Sequence, residues 1–313
     1  TCGHALREIG KFQWAQPWYE RAVQAKQNGV GGAPIDYLSL GFSMNDVGLC
    51  LSNMGRFAEA DVWYRRAVEC KQRGNAQGGI DHESIGVSLH QIGFCQSKLG
   101  NFKAARPWFE QAVEVKRKGD LHGRVDHASI GASLHGIGYC LSADESIDER
   151  SAARQFYERA VEEMKLGDVN GRVDHADMGM TLHRIGVSLS DEGQFEEAQV
   201  WCEKAVEAAR IGHLDGRIDY QNLGTSLHLV GHCLLRRGKF EAAKSWYEQA
   251  VEVTERGDIH GRVNYDHLGA SLYKVADCMS GMGDCAGALS WYERAVAATK
   301  RGDIHGCVNE ESL

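Results

Sequence analysis

The chain has 313 residues, 43% hydrophobic and 25% charged with a formal charge of −8, a makeup ordinary for a soluble protein and one that would normally imply two domains unless the architecture is a repeat array. The acidic balance, with no Lys/Arg run longer than three, excludes the basic surface that tracking nucleic-acid phosphates needs, so no nucleic-acid partner is expected. No apolar stretch approaches the roughly 18 to 20 residues that cross a bilayer, and no signal-like leader opens the chain, so the expectation is a soluble, cytoplasmic protein with no membrane partner.

The chain opens Thr1-Cys2-Gly3 without an initiator methionine, which reads as a fragment or a processed product. Its period emerges from the phrase WYERAV and its variants. Ala22, Ala67, Ala112, Ala160, Ala205, Ala250 and Ala295 are spaced by 45 residues in every interval except one of 48. Units counted from the polar residue of the Asp-His phrase run 36–80, 81–125, 126–173, 174–218, 219–263 and 264–308, preceded by the back part of an earlier unit at 1–35 and followed by the start of a further one at 309–313. The expectation is a single array over 1–313, with further repeats or domains in a longer chain. A period in this range marks a solenoid or propeller, in which each unit buries its apolar face only against its neighbours.

The unit at 81–125 shows the elements. Ile85, Leu89, Ile92, Gln96 and Leu99 form a helical stripe with one polar lapse, Asp81 is placed to cap its first turn, and Gly100 is placed to end it in the left-handed conformation. Phe102, Ala105, Trp108/Phe109, Ala112 and Lys116 form a second stripe that ends in Lys116-Arg117-Lys118, where positive charge suits the helix dipole. A glycine follows at Gly29, Gly74, Gly119, Gly167, Gly212, Gly257 and Gly302. β-branched runs with two-residue alternation are absent. The expected unit is helix, short turn, helix, longer loop.

The pattern Leu89-x-x-Ile92-Gly93, then Gly100-x-Phe102-x-x-Ala105-x-x-x-Phe109-x-x-Ala112, resembles the tetratricopeptide repeat, and A-x-x-W-Y-E-R-A-V is similar to the corresponding phrase of kinesin light chains. The resemblance covers essentially the whole chain and implies an all-α fold, a right-handed α-α superhelix of helix-turn-helix repeats. One unit departs, since 141–153 reads LSADESIDERSAA, three residues longer and without the Gly-x-Phe turn; Ile147 is the residue positioned to replace the aromatic. Gly48, Gly93, Gly138, Gly186, Gly231 and Ala276 sit mid-helix, where glycine costs about 0.5–1 kcal/mol against alanine, so a partner helix is expected to approach them closely. Cys50, Cys95, Cys140, Cys233 and Cys278, with Ser188 in the remaining copy, share one slot two residues on and read as small, reduced core groups. Adjacent slots lie about 8–10 Å apart, beyond disulfide reach of about 4.4–6.8 Å, and the chain is read as intracellular.

His90, His135, His183 and His228 form a register, with Asn45 before them and Tyr273 after. They lie one residue past the core leucine and project about 100° off the buried stripe, together with Val87, Phe94 and Ser97 in the second unit. In tetratricopeptide arrays the corresponding face lines a concave groove for extended peptides. The resemblance therefore implies a peptide-binding groove at Asn45, His90, Phe94, His135, Tyr139, His183, Arg184, His228, His232 and Tyr273. The competing reading is a structural ladder of hydrogen bonds between neighbouring first helices. The two are compatible.

A zinc site is disfavoured because histidines repeated once per unit stand a helix layer apart, and His228 with His232 lacks a third ligand. No metal and no cofactor are expected. The loop phrase Asp120, His122, Arg124, Asp126, His127 returns as Asp168, Asn170, Arg172, Asp174, His175 and then as His213, Asp215, Arg217, Asp219, Tyr220. Free exchange of His and Asp within it speaks for architecture. The arginines Arg124, Arg172, Arg217 and Arg262 with their acidic neighbours are expected to form an edge ladder of ion pairs. Ser88/His90 and Ser133/His135 face different directions, and no nucleophile elbow, P-loop or dinucleotide fingerprint appears, so no enzyme activity is expected.

The functional expectation is a protein-protein interaction scaffold that binds a protein or peptide segment through this groove. The alternative is a sensor region of a larger signalling protein or enzyme whose effector domain lies outside the chain. For an acidic ligand, affinity should rise as the histidines protonate near pH 6. Self-association through Asp144, Glu145, Asp148 and Glu149 is a weaker third possibility.

Overall fold

The structure, a computed structural model, describes residues 2–28, 35–143, 147–258 and 260–302, and of 147–150 only the backbone. The other residues, which include most of the acidic insert, Gly29 and 309–313, lie outside the description, as does the side chain expected of Ile147. Every regular element among the described residues is a helix, and none is long and apolar enough to cross a membrane. The chain forms two compact units, 1–172 and 173–313.

The first unit contains α1 (Cys2–Glu8), α2 (Phe12–Gln27), α3 (Tyr37–Asn53), α4 (Phe57–Gln72), α5 (His82–Lys98), α6 (Phe102–Lys116), α7 (His127–Ser142) and α8 (Ile147–Leu166). The second contains α9 (His175–Asp191), α10 (Phe195–Ile211), α11 (Tyr220–Arg236), α12 (Phe240–Thr254), α13 (Tyr265–Gly281) and α14 (Cys285–Thr299). Within each unit a helix packs on its pair partner and on the next pair, and odd-numbered helices meet across one face, as α5 meets α7 and α11 meets α9 and α13.

Local chemistry sets the boundaries. Asp36, Asp81, Asp126, Asp174, Asp219 and Asn264 each cap an odd-numbered helix by accepting from backbone N–H groups of its first turn. Short turns end at glycines of positive φ, such as Gly100 at 79°. The glycine after α4, α6, α8, α10 and α14, at φ 80° in Gly119, turns its carbonyl back to the odd-numbered helix of its own pair: Gly119 O accepts from Glu83 N at 3.1 Å and Gly167 O from Ala128 N at 2.9 Å.

The loop phrase has the same purpose. Asp120 Oδ1 accepts from His122 N and Arg124 N, and Asp120 Oδ2 accepts from Arg124 Nε at 2.8 Å. Asp168 with Arg172, Asp215 with Arg217, and Asp258 with Arg262 pair in the same manner inside their own loops. The expected ion-pair ladder between units is therefore corrected. Each arginine reaches an aspartate two or four positions away, because the glycine bends fold the loop onto itself before either side chain extends to a neighbouring repeat.

The mid-helix glycines also have a more specific partner than a helix backbone. A Cβ at Gly48 would lie 2.8 Å from the Tyr64 ring, at Gly93 3.0 Å from Phe109, at Gly138 2.7 Å from Tyr157 and at Gly231 2.9 Å from Tyr247. An aromatic ring of the paired helix fills the space beside each of these glycines and is buried there. Cys50, Cys95, Cys140, Cys233 and Cys278 are buried free thiols one turn fraction beyond. Burial pushes the Cys95 thiol up to about 12 and the Cys50 and Cys140 thiols up to about 11.

Candidate functional site

The ten groove positions all lie on odd-numbered helices, Asn45 on α3, His90 and Phe94 on α5, His135 and Tyr139 on α7, His183 and Arg184 on α9, His228 and His232 on α11, and Tyr273 on α13. Arg184 and Tyr273 are exposed, and the other eight are half-buried. Asn45 and the four histidines His90, His135, His183 and His228 each follow a core residue, Met44 or a leucine, which leaves one edge of each side chain against the interior.

That inner edge is held by two contacts. The first is an aromatic ring of the paired helix: His90 packs on Phe109, His135 on Tyr157 and His228 on Tyr247, with centroids 5.1, 5.2 and 4.9 Å apart. Tyr273 meets Tyr292 at 5.2 Å. The second is a hydroxyl on the next odd-numbered helix. Asn45 Oδ1 accepts from Ser88 Oγ at 2.9 Å, His90 Nδ1 pairs with Ser133 Oγ at 3.1 Å, His183 Nδ1 with Ser226 Oγ at 3.3 Å and His228 Nδ1 with Ser271 Oγ at 2.9 Å. The cross-helix ladder is present. A second row packs on the preceding pair: Phe94 on Phe57, Tyr139 on Phe102 and His232 on Phe195, each edge to face.

Burial reverses the expected charge gain near pH 6. It holds the His90 imidazole well below its ordinary 6.5, with Lys116 and His135 adding repulsion. His183 is held down to about 4 by burial, then by Arg184 and His267. His228 is held down to about 3 by burial, then by His232, His267, Lys274 and His183. With their pKa values lowered in this way, these imidazoles are neutral at physiological pH and offer hydrogen bonds rather than charge.

Buried lysines lie beneath this row, among them Lys116, whose place at a helix end also suits the helix dipole. Lys71 and Lys116, at the ends of α4 and α6, are 1% and 2% exposed. Lys116 Nζ donates to Ser129 O at 2.7 Å and Ser133 Oγ at 2.9 Å; Lys71 Nζ donates to Ser84 O at 2.8 Å and Ser88 Oγ at 2.9 Å. Lys26, at the end of α2, makes the same pair of bonds to Ser39 O and Ser43 Oγ. Each lysine precedes its serine by 17 residues, a recurrence that was legible in the sequence. Glycines 41 and 86 make room, since a Cβ at either would strike the lysine stem. Burial lowers both Lys71 and Lys116 to about 8, opposed by Asp81 and Asp46 for the first and by Glu83 and Asp126 for the second. The equivalent positions in the second unit are Ala209, Thr254 and Thr299. Beside Thr254 a cleft of about 190 Å³ opens against His228, His267 and Ser271.

Asp174, Asp177 and His213 bring three donor atoms within 4.8 Å of one another. Asp174 is already committed as the α9 cap, accepting from Ala176 N and Asp177 N. The cluster therefore reads as a loop closure.

No curated protein matches the sequence. Among solved structures, BtubC (BKLC) from P. vanneervenii superposes with a TM-score of 0.60 at 15% identity, covering 78% of this chain and 89% of its own. The apo form of RapI gives 0.58 at 14% identity over 95% of both chains. A putative kinesin light chain of Podosopora anserina with nearly identical tetratricopeptide-like repeats gives 0.50 at 20% identity, over 71% of this chain and 97% of its own. These likenesses establish the helical-repeat fold. The tetratricopeptide repeat profile itself matches residues 42–118 and 177–256, half of the chain. With helix pairs, packing glycines and the aromatic-Ala phrase in place across that span, the chain belongs to the tetratricopeptide repeat family.

Proposed function

We propose that the protein is a non-catalytic, cytoplasmic interaction scaffold whose odd-numbered helices bind an extended segment of a protein partner. One observation supports this reading above the others: half-buried polar side chains recur at one position of successive odd-numbered helices, His90 and His228 each held by a ring behind and a hydroxyl beside, Asn45 and His183 by a hydroxyl and His135 by a ring. Such side chains lose little rotamer freedom when a partner docks, and pre-paid ordering is what lets a modest contact area bind a flexible chain. Phe94 and Tyr139 add apolar area on the same helices in the first unit, and Tyr273 does so in the second. The neutral, buried thiols fit a reducing compartment.

The test is selection from an unbiased displayed peptide library. Wild type should enrich a related set of peptides, and a His90/His135/His183/His228→Ala variant should lose them by tenfold or more. Because those histidines also tie helices together, an Arg184/Tyr273→Ala variant, altering only exposed side chains, runs in parallel. Retention of the peptides by both variants, each with a cooperative melt, moves the binding surface off this row.

A further inference from the structure

Resting on the binding reading above, we propose that Lys71 and Lys116 are positioning residues which, through Ser88 and Ser133, hold Asn45 and His90 as hydrogen-bond donors. The first unit's binding row thereby favours oxygen acceptors, the carbonyl or carboxylate oxygens of a partner chain.

The argument follows the hydrogens. An ammonium has three donors and no acceptor, so Lys116 Nζ at 2.9 Å from Ser133 Oγ occupies a lone pair of that oxygen. The single hydroxyl hydrogen of Ser133 then has two candidate acceptors, His90 Nδ1 at 3.1 Å and the helix carbonyl Ser129 O at 3.3 Å. Were His90 protonated on Nδ1, two positive hydrogens would converge on one serine oxygen. Donation from Ser133 to Nδ1 avoids this and places the His90 proton on Nε2. Ser88 repeats the arrangement: Lys71 donates to its oxygen at 2.9 Å, Asn45 Oδ1 lies 2.9 Å away and Ser84 O 3.3 Å. Asn45 is thus held by its oxygen, which leaves its NH₂ outward. Neither Asn45 Nδ2 nor His90 Nε2 has a hydrogen-bond partner among the described residues, and neither is sealed from solvent.

The second unit supplies the contrast. Ser226 has Ala209 where Ser133 has Lys116, and its hydroxyl lies nearer its own helix carbonyl, Asn222 O at 3.1 Å, than His183 Nδ1 at 3.3 Å. With no ammonium on Ser226 Oγ, His183 is free to donate from Nδ1, which turns a bare Nε2 acceptor outward.

The tautomers are read directly by long-range ¹H–¹⁵N correlation of the imidazole rings. The expected wild-type pattern is His90 protonated on Nε2 and His183 on Nδ1. Lys116→Met, which installs the residue this chain carries at Met164, should move His90 toward a mixture of tautomers; Ser133→Ala should do the same and Ser133→Thr should restore Nε2–H. A wild-type His90 protonated on Nδ1, or a Lys116→Met spectrum unchanged at His90, overturns the relay. Titration with acetylated, amidated hexaglutamate should shift the Asn45 side-chain amide and His90 Nε2 more than His183 and His228. Equal shifts in both units, or none, overturn the acceptor preference. Neither result depends on the library selection above.

Discussion

Replacing Lys116 by methionine should raise stability at neutral pH, and the size of the gain should depend on pH in a defined direction. The ammonium is 2% exposed, and its pKa falls from 10.5 in the unfolded chain to about 8 in the fold. Below about pH 8 both states are protonated, and the fold bears the full cost of the buried charge. Between about 8 and 10.5 the unfolded chain holds a proton the folded one has shed, so wild-type stability rises with pH, and above that the cost is gone. A shift of about 2.5 units at about 1.4 kcal/mol each is roughly 3 kcal/mol. Methionine removes this cost but forfeits two hydrogen bonds of about 0.5–1.5 kcal/mol each, leaving a net gain of about 1–2 kcal/mol at pH 7. Sterically the exchange has a precedent, since Met164 Cγ lies over Gly131 as the lysine stem lies over Gly86. The assay is urea denaturation of both proteins at pH 7 and pH 10 with the slope checked for constancy. Cys95 and Cys140, raised by burial, lower stability as pH climbs past about 9, but they are common to both proteins and cancel in the difference. A variant less stable than wild type at pH 7, or a difference that does not shrink by pH 10, would refute the reasoning.

Three further outcomes follow from the packing. Gly138→Ala puts a methyl 2.7 Å from the Tyr157 ring and should lower stability by about 1–3 kcal/mol despite alanine's better helix propensity, seen as a lower melting temperature. Tyr247→Phe should be neutral or stabilising by up to about 1 kcal/mol, because the buried Tyr247 hydroxyl has no hydrogen-bond partner among the described residues and Phe109 already occupies the equivalent place; a clear loss in the same melt would refute this. Asp126→Ala removes the α7 cap to Ser129 N and should cost about 1 kcal/mol, with hydrogen exchange fastest in residues 127–130.

What could be read from the sequence was whatever repeats and acts locally. Asp81 as a cap, Gly100 as a stop and the ends of α5 and α6 emerge from short-range chemistry, which a periodic string shows plainly. The register of His90, His135, His183 and His228 was legible too, because one residue past a core leucine has a fixed direction on any helix. What escaped depends on the neighbouring pair. Lys116 stands beside Arg117 and Lys118 in a basic cluster, and only the position of Ser133 on α7 turns the first of the three inward. The state of the histidines escaped likewise, since a half-exposed register says nothing of rings such as Phe109 and Tyr247 that desolvate it. The arginines of the loops were assigned a long reach because they recur, whereas recurrence here reflects a bend that each loop completes alone.

The lysine joints ask for a hydroxyl at the matching turn of the following module, and every module supplies one, at Ser43, Ser88, Ser133, Thr181, Ser226 and Ser271. The glycine that admits the lysine stem recurs with it, at Gly41, Gly86, Gly131, Gly179, Gly224 and Gly269. Recombination that shuffled or deleted modules would therefore leave an ammonium such as that of Lys116 with an acceptor at each new junction, so the array tolerates rearrangement even though only some of its modules end in lysine.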